Sequence, residues 1–589
     1  MGVLLFVIVS YLVLSVGLYF IFGKAGEAAW QGLVPGLNFM VWCKLIGRQP
    51  WYAALLLIPI VNIFIYAGMC IDMVRSFRHY LFWHSFVAVV AAPLVFLYLG
   101  LSKDEKYDGP TLDKEKAYAA KLEEAKAAGS ARQLKKLEDQ NPYRKSGARE
   151  WVEAVVFAVF AAAFIRMFLI EAYVIPTSSM EGSLLTGDFL FVSKAAYGIR
   201  TPQTIAMVPL LHNRLPVIDG ESYLEKPKLP YYRLPALESI DNNDPVVFNY
   251  PEGDSVYVFP TRTWSVYDYK RGQIPPTMAA QIKTGKKKLV TRPMDKQDHY
   301  IKRCVAIPGD SLQIINRQVY INGEPGQNPE YIQFIHHVTS STGPINDRSF
   351  AEWGISTEDQ LRLDPNTNSR LLILNQEQVD QLKGMGSGIE AAPTSEYTLR
   401  IPPGYDPNSL SAYGIDDANF RGNDPQQNFV FSLTDDQFNK VRRDSNLIVR
   451  RYLGTPLRYF PHDPTNFKGW NQDNFGPIYI PKKGATVKVS PSNIALYRRI
   501  ISVFEGNDLK VSGGKVYING QEATEYTFQS NYYWMMGDNR HNSEDARVWG
   551  FVPEDHVVGK PLIIWFSTRE GAMAKGINWG RILKVVTNI

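Results

Sequence analysis

The sequence predicts N-terminal transmembrane α-helices followed by a mainly-β domain with large insertions. Three observations carry this reading. Residues 2–23 (GVLLFVIVSYLVLSVGLYFIFG) contain no charged side chain, and two further uncharged runs cover 49–71 and 80–101. A fourth apolar stretch, 151–170, follows a charged segment. Beyond residue 172 the texture changes to short, β-branched or alternating runs punctuated by Gly, Asn and Pro, the pattern of strands and tight turns.

The first run is long enough to span. Its 22 residues at a 1.5 Å rise reach about 33 Å, the thickness of a bilayer core. A secretory signal peptide would need a basic start and a shorter apolar stretch, and this run has neither. The second run is interrupted by Pro50, Pro59 and Asn62. The stretch 30–42 is short and contains Pro35, which suits an interfacial or re-entrant segment. Residues 1–101 are therefore read as a membrane domain of about three spans. Residues 102–150 hold 12 Lys/Arg and 10 Asp/Glu around an Ala-rich middle, the composition of an exposed helical linker. Residues 151–171 form a further membrane anchor, with Glu153 and Arg166 close enough to its ends to snorkel. Arg144, Lys145 and Arg149 before this anchor place the linker in the cytoplasm by the positive-inside rule, and residues 172–589 on the other side. Arg75 and Arg78, between the second and third runs, point mildly the other way.

Composition narrows the class of protein. With 45% hydrophobic and 21% charged residues, wholesale disorder is excluded. A net charge of +5 over 589 residues is weak evidence for nucleic-acid binding, and that reading carries little weight. Three cysteines exclude a disulfide-built scaffold. Cys43 and Cys70 lie in or beside apolar segments and Cys304 stands alone in the remainder, so the redox compartment is not identified.

In the β-rich part, DFLFVSK (188–194), PVVFNY (245–250), LQIINRQVYING (312–323) and LKVSGGKVYING (509–520) read as strands and hairpins. Helical signals are few. Asn375 and Thr434 each open a short segment with an N-cap residue, early acids and apolar residues three apart. The two segments resemble each other, which suggests two similar small elements inside a long insertion. An internal repeat also appears. YIKRCVAIPGD (300–310) with VYING at 319–323 aligns ungapped with YRRIISVFEGN (497–507) and VYING at 516–520. Both copies suggest strand, Gly turn, strand and Asn-Gly hairpin. Lys302 in the first copy corresponds to Arg499 in the second. A buried lysine can lose its proton and act as a base, whereas arginine keeps its own. If either copy is catalytic, it is the first.

Three separated segments form a candidate active site. IPTSSMEGSLLTGD (175–188) puts hydroxyls in a Pro-led loop just after the fourth apolar stretch. YIKR (300–303) supplies a lysine. MMGDNRHNSEDARVWG (535–550) is a polar, turn-rich loop between apolar strands. Each alone has an ordinary structural reading: a turn, an edge-strand charge, a hydrogen-bonded loop. Together and in this order they resemble the type I signal peptidases, the membrane-bound Ser–Lys peptidases. The matching segments cover roughly a quarter of the chain.

The resemblance implies a mainly-β catalytic domain of the signal-peptidase type and assigns roles. Ser179, directly before Met180, matches the nucleophile, and Lys302 the general base. Thr177 matches the position whose hydroxyl helps the Ser179 backbone N–H form the oxyanion hole. Ser543 matches the serine that orients the lysine amine. Asp538, Arg540, Asp545 and Arg547 match the charged positions that hold the loop together. Ala546 departs from the family's usual serine, which touches only a minor contact. The expected organisation is a first part of the catalytic core at 172–323, an insertion of unassigned fold at 324–485, and a second part of the core at 486–589. A further long insertion lies at 251–298.

The chemistry agrees with these roles. A neutral serine needs an adjacent base. A free lysine is almost wholly protonated at pH 7, and burial can lower its pKa into the useful range. The resemblance further implies exported preproteins as substrates, cut after small residues in an Ala-x-Ala pattern. Met180, Leu184 and Leu185 are candidates to line shallow pockets, and equally candidates for core packing. No cofactor is expected, and His336-His337 and the scattered acids show no metal-ligand spacing. The expected location is the cytoplasmic (inner) membrane, multi-pass, with the catalytic domain on the extracytoplasmic side. Its expected partners are exported preproteins and the lipid bilayer, not nucleic acid.

Three competing readings are retained. A Ser–His–Asp mechanism would use His541 as base, a residue otherwise read as a loop surface group. A self-cleaving Ser–Lys peptidase of the repressor type shares the chemistry, but the chain has no DNA-binding motif. A membrane-anchored binding protein with an inactive peptidase fold would use the insertions at 251–298 and 324–485 as partner surfaces.

Overall fold

The computed structural model describes residues 2–586 except 212, 214, 216–219, 344, 346–347, 349, 351, 365–367, 387, 425–427 and 453–456. The chain divides into two compact units, Met1–Phe160 and Ala161–Ile589.

The first unit is helical. Gly2–Lys24 forms one helix; among the described residues its Leu4–Lys24 stretch and Gly147–Phe168 are two helices long and apolar enough to cross a membrane, and the bent pair below makes a third if it is one span. The other two N-terminal runs do not form single straight helices. Residues 80–101 split into Phe82–Val90 and Ala92–Leu101, bent by 112° at Ala91, just before Pro93. The 49–71 run breaks at Pro59–Ile60 into a 3₁₀ segment, Pro50–Leu57, and a helix, Val61–Arg75. Pro59 cannot donate to a helical ladder, and Ile60 takes a positive φ of 75°. The same construction precedes it. The 3₁₀ segment Ala29–Leu33 leads through Pro35 to Gly36 at φ 82°, ψ −51°, and then the helix Leu37–Ile46. Ile60 has the same ψ of −51°. The two Pro-break turns, each followed two residues later by an asparagine (Asn38 and Asn62), are a local repeat that hydropathy alone does not reveal. Trp42, Cys43, Met69, Cys70 and Phe96 are among the side chains that fill this unit's core.

The second unit is mainly β. Its central sheet has seven strands in the order Ile170–Val174, Asp188–Ser193, Val557–Ser567, Pro245–Asn249, His299–Ala306, Tyr532–Met536 and Val552–Pro553, all antiparallel. Strands distant in sequence thus become neighbours, and both walls of the candidate site belong to one sheet. One face packs on a core that includes Val246, Phe248, Cys304, Trp534 and Trp549. The other packs on a smaller cluster with Leu190, Val192, Val247 and Ile564. The alternation of Val246 and Phe248 against Val247 follows from the two-residue period of a strand.

The 324–485 region begins and ends in a second sheet, Glu324–Pro325, Gln318–Ile321, Ser311–Ile315 and Phe475–Tyr479. Between those strands lies its own seven-stranded sheet with two similar halves. In each half a buried strand, Ser369–Leu374 or Phe429–Thr434, runs into a short helix, Gln376–Gly384 or Asp435–Val441. Both helices start in reciprocal capping boxes, Asn375 with Gln378 and Thr434 with Gln437. Gln378 Nε2 then donates to Trp353 O at 3.1 Å and Gln437 Nε2 to Gly414 O, so the two halves repeat even this bond.

The aligned repeat at 300 and 497 holds only in its hairpins. Asn322-Gly323 and Asn519-Gly520 both turn with positive φ between paired strands. Upstream of them the copies diverge: His299–Ala306 is a strand, while Ile494–Phe504 is helical. Ile494, Tyr497, Ile500 and Ile501 fall at helical spacing and bury in the main core. Arg499 pairs with Asp254 at 2.8 Å, and its guanidinium lies 4.2 Å from the centre of the Tyr267 ring. It has a structural partner of its own.

Candidate active site

Ser179 sits in a single 3₁₀ turn, Ser178–Met180, that follows the edge strand Ile170–Val174. Apolar anchors fix this loop. Ile175, Met180 and Leu184 bury with Leu190, Val192 and Val247 in the smaller cluster. Asn542 Nδ2 donates to Ser178 Oγ at 3.0 Å, and Asn539 N to Ser179 O at 3.3 Å, so the third motif holds the first directly.

Lys302 lies in the strand His299–Ala306 with 4% of its surface exposed. Its Nζ is 2.7 Å from Ser179 Oγ, donates to Ile301 O at 2.9 Å, and sits 5.6 Å from the centre of the Tyr300 ring. Burial disfavours the ammonium and pushes its pKa from 10.5 down to about 8, against the carboxylates of Asp545, Glu544 and Asp538. Thr177 Oγ1 is 3.4 Å from Ser179 Oγ.

The loop after Tyr532–Met536 is a buried charge network. Arg303, next to the lysine, makes a two-pronged contact with Asp538 at 2.8 and 2.6 Å. Asp545 accepts from Arg547 Nη2 at 2.7 Å and from Gly537 N at 3.1 Å. Burial works against the Asp545 carboxylate, but Arg547 outweighs it and holds the pKa below the usual range. Arg540 Nε donates to Gly537 O at 3.0 Å and Arg547 Nη2 to Arg540 O at 2.7 Å. Gly537 has to be glycine, because a Cβ there would overlap the Ser179 carbonyl and the Ser543 side chain.

Ser543 lines the same cavity but makes no direct hydrogen bond to the amine among the described residues. Its buried hydroxyl leans toward Asp545 without normal hydrogen-bond geometry, while Ile301 O takes the amine's second bond. His541 is not a surface group. Its side chain is 1% exposed, its Nε2 lies 2.8 Å from Asp473 Oδ1, and its Nδ1 accepts from Ile335 N at 3.1 Å. Both ring nitrogens are thus committed to the insertion. Of the three apolar candidates, Met180 lines the cavity, Leu184 is core, and Leu185 does neither.

The cavity at Ser179 and Lys302 has a volume of about 840 Å³. Its walls include residues that motif reasoning did not find. Arg262, Trp264 and Gln273 come from the 251–298 insertion, and Glu358, Arg458 and Tyr459 from the 324–485 region. The larger insertion is also docked on the motifs. Gln333 N donates to Asp538 O at 2.9 Å and Arg540 N to Gln333 O at 3.0 Å. Gly182 faces Tyr331 so closely that a Cβ would strike its carbonyl. Glu181 is buried here, and burial, then the charges of Asp359 and Glu358, push its carboxyl up to about 8. No local sequence pattern encodes these contacts.

Comparison with known proteins bears on both units. The family described as signal peptidase, peptidase S26, matches residues 148–353 and 523–566. A family of unknown function, DUF5684, matches residues 30–110, which hold the two Pro-break turns. A signal peptidase I of Leptolyngbya laminosa is 35% identical over 110 residues, covering 16% of this chain and 54% of that protein. One from Buchnera aphidicola is 34% identical over 119 residues, covering 18% and 38%. One from Helicobacter pylori is 26% identical over 183 residues, covering 31% and 43%. The chain thus spans about half or less of the length of these curated relatives. The match runs through the serine loop, the lysine strand and the 537–547 loop, so in these segments the chain is similar to the signal peptidase family, peptidase S26.

Proposed function

We propose that the chain is a membrane-bound serine endopeptidase that removes signal peptides from exported preproteins, with Ser179 as nucleophile and Lys302 as general base. The observation that carries this reading is the 2.7 Å separation of Ser179 Oγ and a buried Lys302 Nζ. In the free-base form the amine takes the Ser179 proton as Oγ attacks a peptide carbonyl. Thr177 Oγ1 and the Ser179 backbone N–H then face the developing oxyanion, and each such donor contributes about 3 kcal/mol in comparable sites. The leaving amine collects the proton from Lys302. Water, deprotonated by the same amine, releases the acyl group. Asp538, Arg540, Asp545 and Arg547 hold the loop and do no chemistry. Met180 and Ile175 at the cavity wall favour small side chains beside the scissile bond. The helices Leu4–Lys24 and Gly147–Phe168 anchor the chain in the inner membrane, with the Ser179 domain on the extracytoplasmic side.

The test is cleavage of a purified preprotein by the full chain in detergent or vesicles. Wild type releases the signal peptide at an Ala-x-Ala site, while Ser179→Ala and Lys302→Ala, folded by circular dichroism, do not. Full cleavage by Lys302→Ala removes the proposed mechanism, and no cleavage by wild type removes the proposed function.

A further inference from the structure

Three carboxylates bear on Lys302, those of Asp545, Glu544 and Asp538. Each favours the ammonium and so opposes a lysine base. Two are neutralised from within the motifs, Asp538 by Arg303 and Asp545 by Arg547. The third, Glu544, directly follows Ser543 and lines the cavity. Its counter-ion comes from a different element: Arg262 of the 251–298 insertion reaches it at 3.0 Å. Arg262 is held for this task, with its guanidinium 3.8 Å from the centre of the Trp264 ring. Trp264 itself sits in the strand Thr263–Ser265, paired with Ser255–Val258.

We propose that Arg262 is a positioning residue for the reaction: by pairing with Glu544 at the cavity wall, it keeps that negative charge from holding Lys302 as ammonium. The proposal rests on the reading of Ser179 and Lys302 as nucleophile and base. It makes the 251–298 insertion part of the catalytic apparatus. Of the other titratable groups lining the cavity, Glu358 brings a negative charge from the 324–485 region, His541 is paired with Asp473, His299 lies on the lysine's own strand, and burial pushes the Tyr173 and Tyr459 phenols upward. Arg540 lies within the 537–547 loop and bonds Gly537 O. Arg458 lines the cavity and carries no ion pair among the described residues, so its charge acts in the same direction as Arg262. The Tyr300 phenol on the lysine's own strand is pushed upward by burial and stays neutral.

The experiment is the pH dependence of kcat/KM for a fluorogenic Ala-x-Ala peptide, run beside competitive acetylation of Lys302 by acetic anhydride read by mass spectrometry. In Arg262→Ala, the midpoint of both profiles moves upward by about half a unit or more. At pH 7 kcat/KM then falls about threefold or more, while the alkaline plateau is retained. Arg262→Lys keeps the midpoint, and adding Glu544→Gln to Arg262→Ala restores it. A merely structural role lowers the plateau and leaves the midpoint in place. An unmoved midpoint in folded Arg262→Ala, or no restoration in the double variant, overturns the proposal. If wild type cleaves no peptide but the acetylation midpoint shifts as stated, the peptidase reading falls while the effect of Arg262 on the charge of Lys302 stands.

Discussion

Replacing Lys302 by methionine should stabilise the protein while abolishing catalysis. Methionine is close to the lysine stem in volume and needs no hydration. The cost it removes follows from the site. Burial lowers the Lys302 pKa from 10.5 to about 8, a difference of about 2.5 units. At 1.36 kcal/mol per unit, the buried ammonium costs about 3 kcal/mol whenever it is charged in both folded and unfolded states. The lost contacts to Ser179 and Ile301 offset about 1 kcal/mol of this, which leaves a net gain of about 2 kcal/mol. The sign with pH is fixed by the direction of the shift. Below pH 8 lysine is charged in both states and the gain is full. Between about 8 and 10.5 it fades, and above 10.5 lysine is neutral in both states and the gain is gone. The assay is thermal unfolding of the full chain in detergent, wild type against Lys302→Met, at pH 6.5 and pH 10.5. A Tm raised by about 2 °C at pH 6.5 and not at pH 10.5 is expected. A variant less stable than wild type at pH 6.5, or one whose gain is equal at both pH values, refutes the reasoning.

Further substitutions probe the loop that positions the site. Gly537→Ala forces a Cβ into the Ser179 carbonyl and Ser543, so peptide cleavage should drop at least tenfold with a loss of about 1–3 kcal/mol by denaturant unfolding. Asp538→Ala leaves Arg303 buried without its partner and should cost about 3–5 kcal/mol, measured the same way. His541→Ala removes a buried tie to Asp473 and Ile335. Amide exchange at 333–338 should rise, with the Ser179–Lys302 pH profile unchanged in midpoint.

Some of this was legible in the residues and some was not. The strands 188–193, 245–249 and 311–321 follow from alternating or β-branched runs and Asn-Gly turns, which are local signals. The juxtaposition of Ser179 and Lys302 is not local. It depends on a sheet order that brings 170–193, 245–249 and 299–306 together with 532–567, and only the resemblance of three motifs pointed to it. The 497–504 segment misled because its likeness to 300–307 is in residue type. Its burial period is helical, set by Ile494, Tyr497 and Ile501 in the core. The run 49–71 misled in the opposite sense: hydropathy counted its residues but not the backbone turn that Pro59 and Ile60 impose. His541 looked like a surface group because its partners, Asp473 and Ile335, belong to an insertion whose docking no local pattern encodes. The same holds for Arg262 and Glu544, 282 positions apart and joined only by the fold.

The central claim is that Lys302, uncharged, activates Ser179. The most direct measurement is the pH–rate profile for preprotein cleavage by the full chain, repeated in Glu181→Gln to remove the other group whose pKa lies near 8. Activity that rises from acid to alkaline pH with a midpoint near 8 in both proteins is the predicted result. A profile that is flat, or one whose rise disappears with Glu181→Gln, contradicts it.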